Sequence, residues 1–219
     1  MIGKNSALAL ALYLAAGFAA TSAWADATPQ HFLVVIDFSA DNPARDTTYA
    51  AHVADMLNRA MAEEGVDFGD RVSLRAAVGS DTMARPTAWT RDVTLSARGV
   101  KPGDVAAFLP RLLAEFGSMP TSADSKLAWT IEELGRDISC VQMPTHIYIV
   151  TNGHSATQLV GSDLSTDQIV GRPLSGCATL TWIGIGAQGD LDLALRRGLD
   201  QLFFNLGQEA GVDDVSVEH

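Results

Sequence analysis

The chain alternates unbroken apolar runs of strand length with stretches whose apolar residues recur at helical spacing. Phe32-Leu33-Val34-Val35-Ile36 is apolar throughout and stops at Asp37, as a strand buried on both faces would. From 49 to 64 the residues Val53, Leu57, Ala60 and Met61 share one helical face, and Gly65 stands where a helix ends. Residues 72–78 and 87–95 alternate, which predicts strands nearer a sheet edge, with a hairpin across 80–86. Pro102-Gly103-Asp104 opens a second helix running to Phe116, and a residue near Ser125 opens a third to Arg136. Residues 146–150 form the next buried strand, ending in the turn Thr151-Asn152-Gly153. Residues 161–176 are rich in Ser, Thr and Gly and predict a surface loop. A strand over 179–185, a helix over 191–208 and a last edge strand over 212–217 complete the pattern.

Strands alternating with helices predict a three-layer α/β/α sandwich around a mostly parallel sheet with an antiparallel edge strand. The 219 residues, 47% of them apolar, suffice for one sizeable core. Residues 1–25 hold one charge, Lys4, an apolar run over 7–20, and the small-x-small ending Ala23-Trp24-Ala25; they are expected to be a cleaved signal peptide preceding one domain over 26–219. The apolar run is shorter than the roughly 20 residues a membrane span needs, so stable membrane insertion is not expected. Cleavage removes one lysine and no acid, taking the formal charge from −11 to about −12. Such a chain is a poor partner for nucleic acid and better suited to cations or basic protein surfaces. Export to the periplasm or beyond makes a disulfide between Cys140 and Cys177 the favoured reading over two buried thiols.

In an open parallel sheet, ligands bind beyond the carboxyl ends of the strands. The two most apolar strands end in Asp37-Phe38-Ser39-Ala40-Asp41 and Thr151-Asn152-Gly153, which offer short oxygen side chains on adjacent loops. Asp37, Ser39 and Asp41 alternate, so one loop aims three oxygens at one point, a donor set for a hard cation such as Mg²⁺. This pattern resembles the metal-ion-dependent adhesion site of von Willebrand factor A-type (vWA) domains: a strand ending Asp-x-Ser-x-Ser, a Thr on a middle loop, and a later strand ending Thr-Asp-Gly. The likeness covers residues 31–187 and includes Ile183-Gly184-Ile185-Gly186. It implies that Asp37 holds a cation through water and Ser39 binds it directly. Asp41 stands in the place of the second Ser and Asn152 in the place of the later Asp, two departures that nearly cancel in charge. Thr121, with Ser122 behind it, matches the middle-loop Thr, and either can equally be a helix N-cap. The resemblance implies a protein partner bridged by Mg²⁺, Mn²⁺ or Ca²⁺, without catalysis.

Two other classes stay in view. The first is a metal-free vWA-like assembly protein that meets partners through its helices. The second is a hydrolase using Asp37 or Ser155, although His154-Ser155 are loop neighbours and the chain has no Gly-x-Ser-x-Gly elbow. A haloacid dehalogenase-type phosphatase needs a second Asp where this chain has Ser39. Gly184-x-Gly186-x-x-Gly189 matches a dinucleotide fingerprint in form, but Asp190 and Asp192 would oppose a pyrophosphate at the helix start.

Overall fold

The computed structural model describes residues 28–37, 39, 42–77, 90–119, 127–153, 157–160, 163–166, 168–187 and 193–219. Its centre is β1 (His31–Asp37), buried at every position and flanked by parallel neighbours on both edges. One neighbour is β2 (Arg71–Ala77), which in turn carries the antiparallel edge strand β3 (Thr90–Thr94). The other is β4 (Thr145–Val150), followed outward by β7 (Thr179–Ile183) and β8 (Val215–Glu218), all parallel. The six-stranded order is therefore β3-β2-β1-β4-β7-β8. β1 and β4, apolar through their middles, sit at the centre, β2 with Arg71, Ser73 and Arg75 lies one place out, and Thr-Arg-Asp-Val-Thr, largely exposed, lies at the edge, where charge protects an open ladder.

Among the described residues, four α-helices cover the sheet. Helix α1 (Thr47–Glu63) begins at Asp46, whose carboxylate accepts from the backbone N–H of Thr48 and Tyr49. It stops at Gly65, φ 79°, where Gly65 N–H reaches Ala62 O and Val66 N–H reaches Met61 O, a paired closure that needs a left-handed residue. Helices α1 and α2 (Val105–Gly117) bury Val53, Leu57, Met61, Leu109, Leu113 and Phe116 against Phe32, Val34, Ile36, Leu74 and Tyr148. On the opposite face, α3 (Leu127–Asp137) and α4 (Leu193–Ala210) bury Ile131, Leu134, Leu199, Phe203 and Leu206 against Leu33, Val35, Ile147, Ile149 and Trp182. Even-numbered residues of β1 thus face one helical layer and odd-numbered apolar ones the other, as the period-two geometry of a strand requires. The α/β/α sandwich and its antiparallel edge are as the sequence predicts.

Cys140 and Cys177 form a disulfide that ties the turn after α3 to the approach to β7. Closing a ring of this size restricts the unfolded chain by about 3–4 kcal/mol in the chain-entropy picture.

One expectation needs correction. Part of the polar stretch 161–176 is strand: β6 (Asp163–Thr166) pairs antiparallel with β5 (Thr157–Val160) in a separate two-stranded sheet. The two strands are joined by two residues, Gly161-Ser162, a hairpin length, and the richness in Ser and Thr masked it. The expected signal segment 1–25, the expected hairpin across 80–86 and the pair His154-Ser155 lie outside the described residues. No described helix is long and apolar enough to cross a membrane.

Candidate functional site

The chain leaves β1 through α1 to β2 and β3 on one side, then returns through α2 and α3 to β4 on the other. Its direction across the sheet therefore reverses between β1 and β4, and the crevice beyond their carboxyl ends is where such a sheet binds ligands. Asp37 closes β1 at that point, and Thr151, Asn152 and Gly153 follow β4.

Asp37 is fully buried. Its Oδ1 accepts from the Ser39 backbone N–H at 2.8 Å, and its Oδ2 accepts from the Ser39 hydroxyl at 3.0 Å and the Thr151 hydroxyl at 2.9 Å. A buried carboxylate is costly unless such donors surround it. Because both hydroxyl hydrogens are committed to Asp37, the oxygen lone pairs of Ser39 and Thr151 are left as acceptors. Thr151 uses one for the Gly153 N–H at 3.1 Å. Gly153 has φ 77°, and a Cβ there would lie 2.8 Å from Phe203 Cζ, so the turn demands glycine on two counts.

Asn42 underlies the crevice. Fully buried, it donates both Nδ2 hydrogens across the switch point, to Asp37 O at 2.9 Å and Val150 O at 2.8 Å. Its Oδ1 accepts from Ala44 N–H at 2.7 Å and caps the short 3-10 turn Pro43–Arg45. Pro43 of that turn packs on Gly184 so closely that a Cβ on Gly184 would lie 2.6 Å from Pro43 Cγ. The turn thus covers the ends of β1, β4 and β7 from the α1 side. Arg45 ends the turn, donating to Ser39 O and Met119 O. Burial pulls its guanidinium below the ordinary arginine value, and the nearby Asp37 charge opposes that shift.

Of the five cation-ligand candidates from the sequence, Asp37 and Ser39 meet directly. Asn152 lies at the same pole, fully buried next to Thr151, with its carbonyl accepting from Gly186 N–H at 3.0 Å. Asp41 and Thr121 lie outside the described residues. Among the described residues no three His, Cys, Asp or Glu side chains gather as a metal-holding group, so Asp37 is here a carboxylate among hydroxyls. Sequence reasoning placed Thr151 at the site without giving it a role, and missed Asn42 and Arg45. For Thr151 a signal existed, since it stands where the resembled motif has its Thr. For Asn42 the Asn-Pro pair marked only a turn, and nothing in the sequence marked Arg45.

No family model matches the chain, and no curated protein matches it. Among solved structures, the open conformation of the pilus adhesin SpaC from Lactobacillus rhamnosus GG is similar at TM-score 0.48 and 10% identity over 88% of this chain and 28% of that one. The human COPII-coat protein Sec24c is similar at TM-score 0.41 and 14% identity over 88% of this chain and 30% of that one. The chain spans less than a third of the length of either, and neither likeness is strong enough to bear on what it does.

Proposed function

We propose that this protein is an exported binding module of the vWA type, which holds a protein partner at the carboxyl ends of β1 and β4 through a divalent cation. The observation that carries the reading is the Asp37 carboxylate taking the hydroxyl hydrogens of Ser39 and Thr151 at the switch point. That arrangement presents hydroxyl oxygens, held by a buried negative charge, as acceptors for a hard cation, and the donor chemistry fits Mg²⁺, Mn²⁺ or Ca²⁺. Asp37 and Ser39 would hold the ion, with Asn152 and, by the sequence resemblance, Asp41 and Thr121 completing the set. Such an ion supplies an open coordination position for a carboxylate of the partner. The Cys140–Cys177 bridge supports an oxidising compartment, periplasmic or extracellular.

A second reading rests on the same residues. Both Asp37 oxygens already have protein donors, which suits a metal-free scaffold in which Asp37 pins β1 to β4. Thermal unfolding of the 26–219 chain in EDTA and then in each cation decides between them. A cation at one hundred times its dissociation constant adds about 2.7 kcal/mol, a shift of several degrees that Ser39→Ala removes. A melting temperature indifferent to all three cations overturns the cation reading.

A further inference from the structure

We infer that Arg45 is a positioning residue for the cation site, fixing the Ser39 backbone against Met119 at the end of α2. The inference rests on the proposed function. Arg45 Nε donates to Ser39 O at 2.9 Å and Nη1 donates to Met119 O at 2.8 Å, so one guanidinium joins the Ser39 backbone to Met119, which lies 74 positions on from Arg45.

Three features make the span stiff. The guanidinium carbon lies 4.7 Å from the centre of the Phe116 ring, and that ring is fully buried, so the planar group rests on a fixed surface. The Arg45 backbone N–H donates to Asn42 O at 2.9 Å, and the Asn42 side chain is in turn fixed to Asp37 O and Val150 O. Met119 N–H donates to Phe116 O at 2.9 Å, which ties the far end to the last turn of α2. A guanidinium holds its donors in a rigid fork, whereas a lysine ammonium is a single flexible point that cannot grip both carbonyls in this geometry.

The consequence lies at Ser39. Its hydroxyl and N–H both face Asp37, and its carbonyl is the Arg45 acceptor, so the residue is held from two sides. Met119 stands two positions before Thr121, the middle-loop candidate of the sequence resemblance. Arg45 therefore holds the Ser39 carbonyl at a fixed distance from Met119, and touches no ion itself. Groups that orient ligands in this way typically change metal affinity by roughly ten- to a hundredfold when removed.

The test compares wild type with Arg45→Met, which keeps an apolar stem over Phe116, and Arg45→Lys. Mn²⁺ affinity is measured by calorimetry, with hydrogen exchange at Ser39 and at Ile147 in the ion-free proteins. The expected result is Mn²⁺ binding weakened roughly ten- to a hundredfold in Arg45→Met and less in Arg45→Lys. Exchange should quicken at Ser39 and stay slow at Ile147 in the core. Arg45→Met binding Mn²⁺ as wild type does, or quickened exchange at Ile147 equal to that at Ser39, overturns the positioning role and leaves the proposed function standing. A wild-type protein that takes up no Mn²⁺, Mg²⁺ or Ca²⁺ overturns the proposed function, and this inference with it.

Discussion

Thr151 donates its hydroxyl hydrogen to Asp37 Oδ2 at 2.9 Å, joining the carboxyl ends of two adjacent parallel strands across 114 positions of sequence. Thr151→Val keeps the shape and removes the hydroxyl, leaving a buried carboxylate with one fewer hydrogen bond and the Gly153 N–H without its acceptor. Urea unfolding at pH 7 is expected to show a loss of about 1–3 kcal/mol. A loss under about 0.5 kcal/mol, the range of an ordinary surface change, would show that the bond matters little.

Asn42 gives a sharper contrast. Asn42→Ala removes two donors from buried carbonyls and the acceptor for Ala44 N–H, and is expected to destabilise by about 2–4 kcal/mol. Asn42→Asp is expected to be worse at pH 7, because it sets an anionic acceptor against the Asp37 and Val150 carbonyl oxygens. Denaturation of both variants at the same pH settles the order. An aspartate variant as stable as the alanine one would contradict the assigned orientation of the amide.

At the opposite pole, His31 Nε2 lies 2.8 Å from Ser73 Oγ in the start of the sheet. Burial, with Arg71 and Arg75 adding to it against the opposing Asp92, lowers the His31 pKa from 6.5 to about 4. Burial lowers His146 as well, against the pull of Glu64. A folded-state pKa below the unfolded value means that the unfolded chain binds the proton first. Stability is therefore full above about pH 6.5 and falls as the pH drops towards 4. For His31 alone the loss is on the order of 2–4 kcal/mol, from the size of the shift. Chemical denaturation from pH 7 to 4 should show this slope, and His31→Gln should flatten it. Parallel slopes in the two proteins would rule out His31 as the source.

The Cys140–Cys177 bridge should stabilise by about 3–4 kcal/mol, so Cys140→Ser with Cys177→Ser is expected to melt well below wild type under non-reducing conditions. Equal melting temperatures would mean that the reduced chain is already confined by other contacts.

The layers were legible in the sequence because burial on both faces leaves a strand no polar positions. Phe32 to Ile36 and Ile147 to Val150 therefore announced the centre of the sheet, and the alternation around Val93 announced its edge. The hairpin of β5 and β6 was not legible, since two strands of four residues outside the main sheet leave too short a pattern to distinguish from a loop. At the site, Asp37 and Ser39 stood out because two positions of one strand end point the same way. Asn42 and Arg45 did not, because their roles depend on backbone carbonyls of Val150 and Met119, and a carbonyl carries no residue identity.

The disulfide has a mechanical side as well. It short-circuits residues 141–176, the stretch that holds β4, Thr151, Asn152 and the small hairpin. Once the sheet has come apart, tension between the two ends of the chain passes from Cys140 to Cys177 through the sulfur bridge, and residues 141–176 cannot be drawn out to their full length. Before that, β4 stands between β1 and the β7-β8 edge, so a pull on the two ends is borne by the ladders on both sides of β4, and the disulfide limits how far the chain extends after they part.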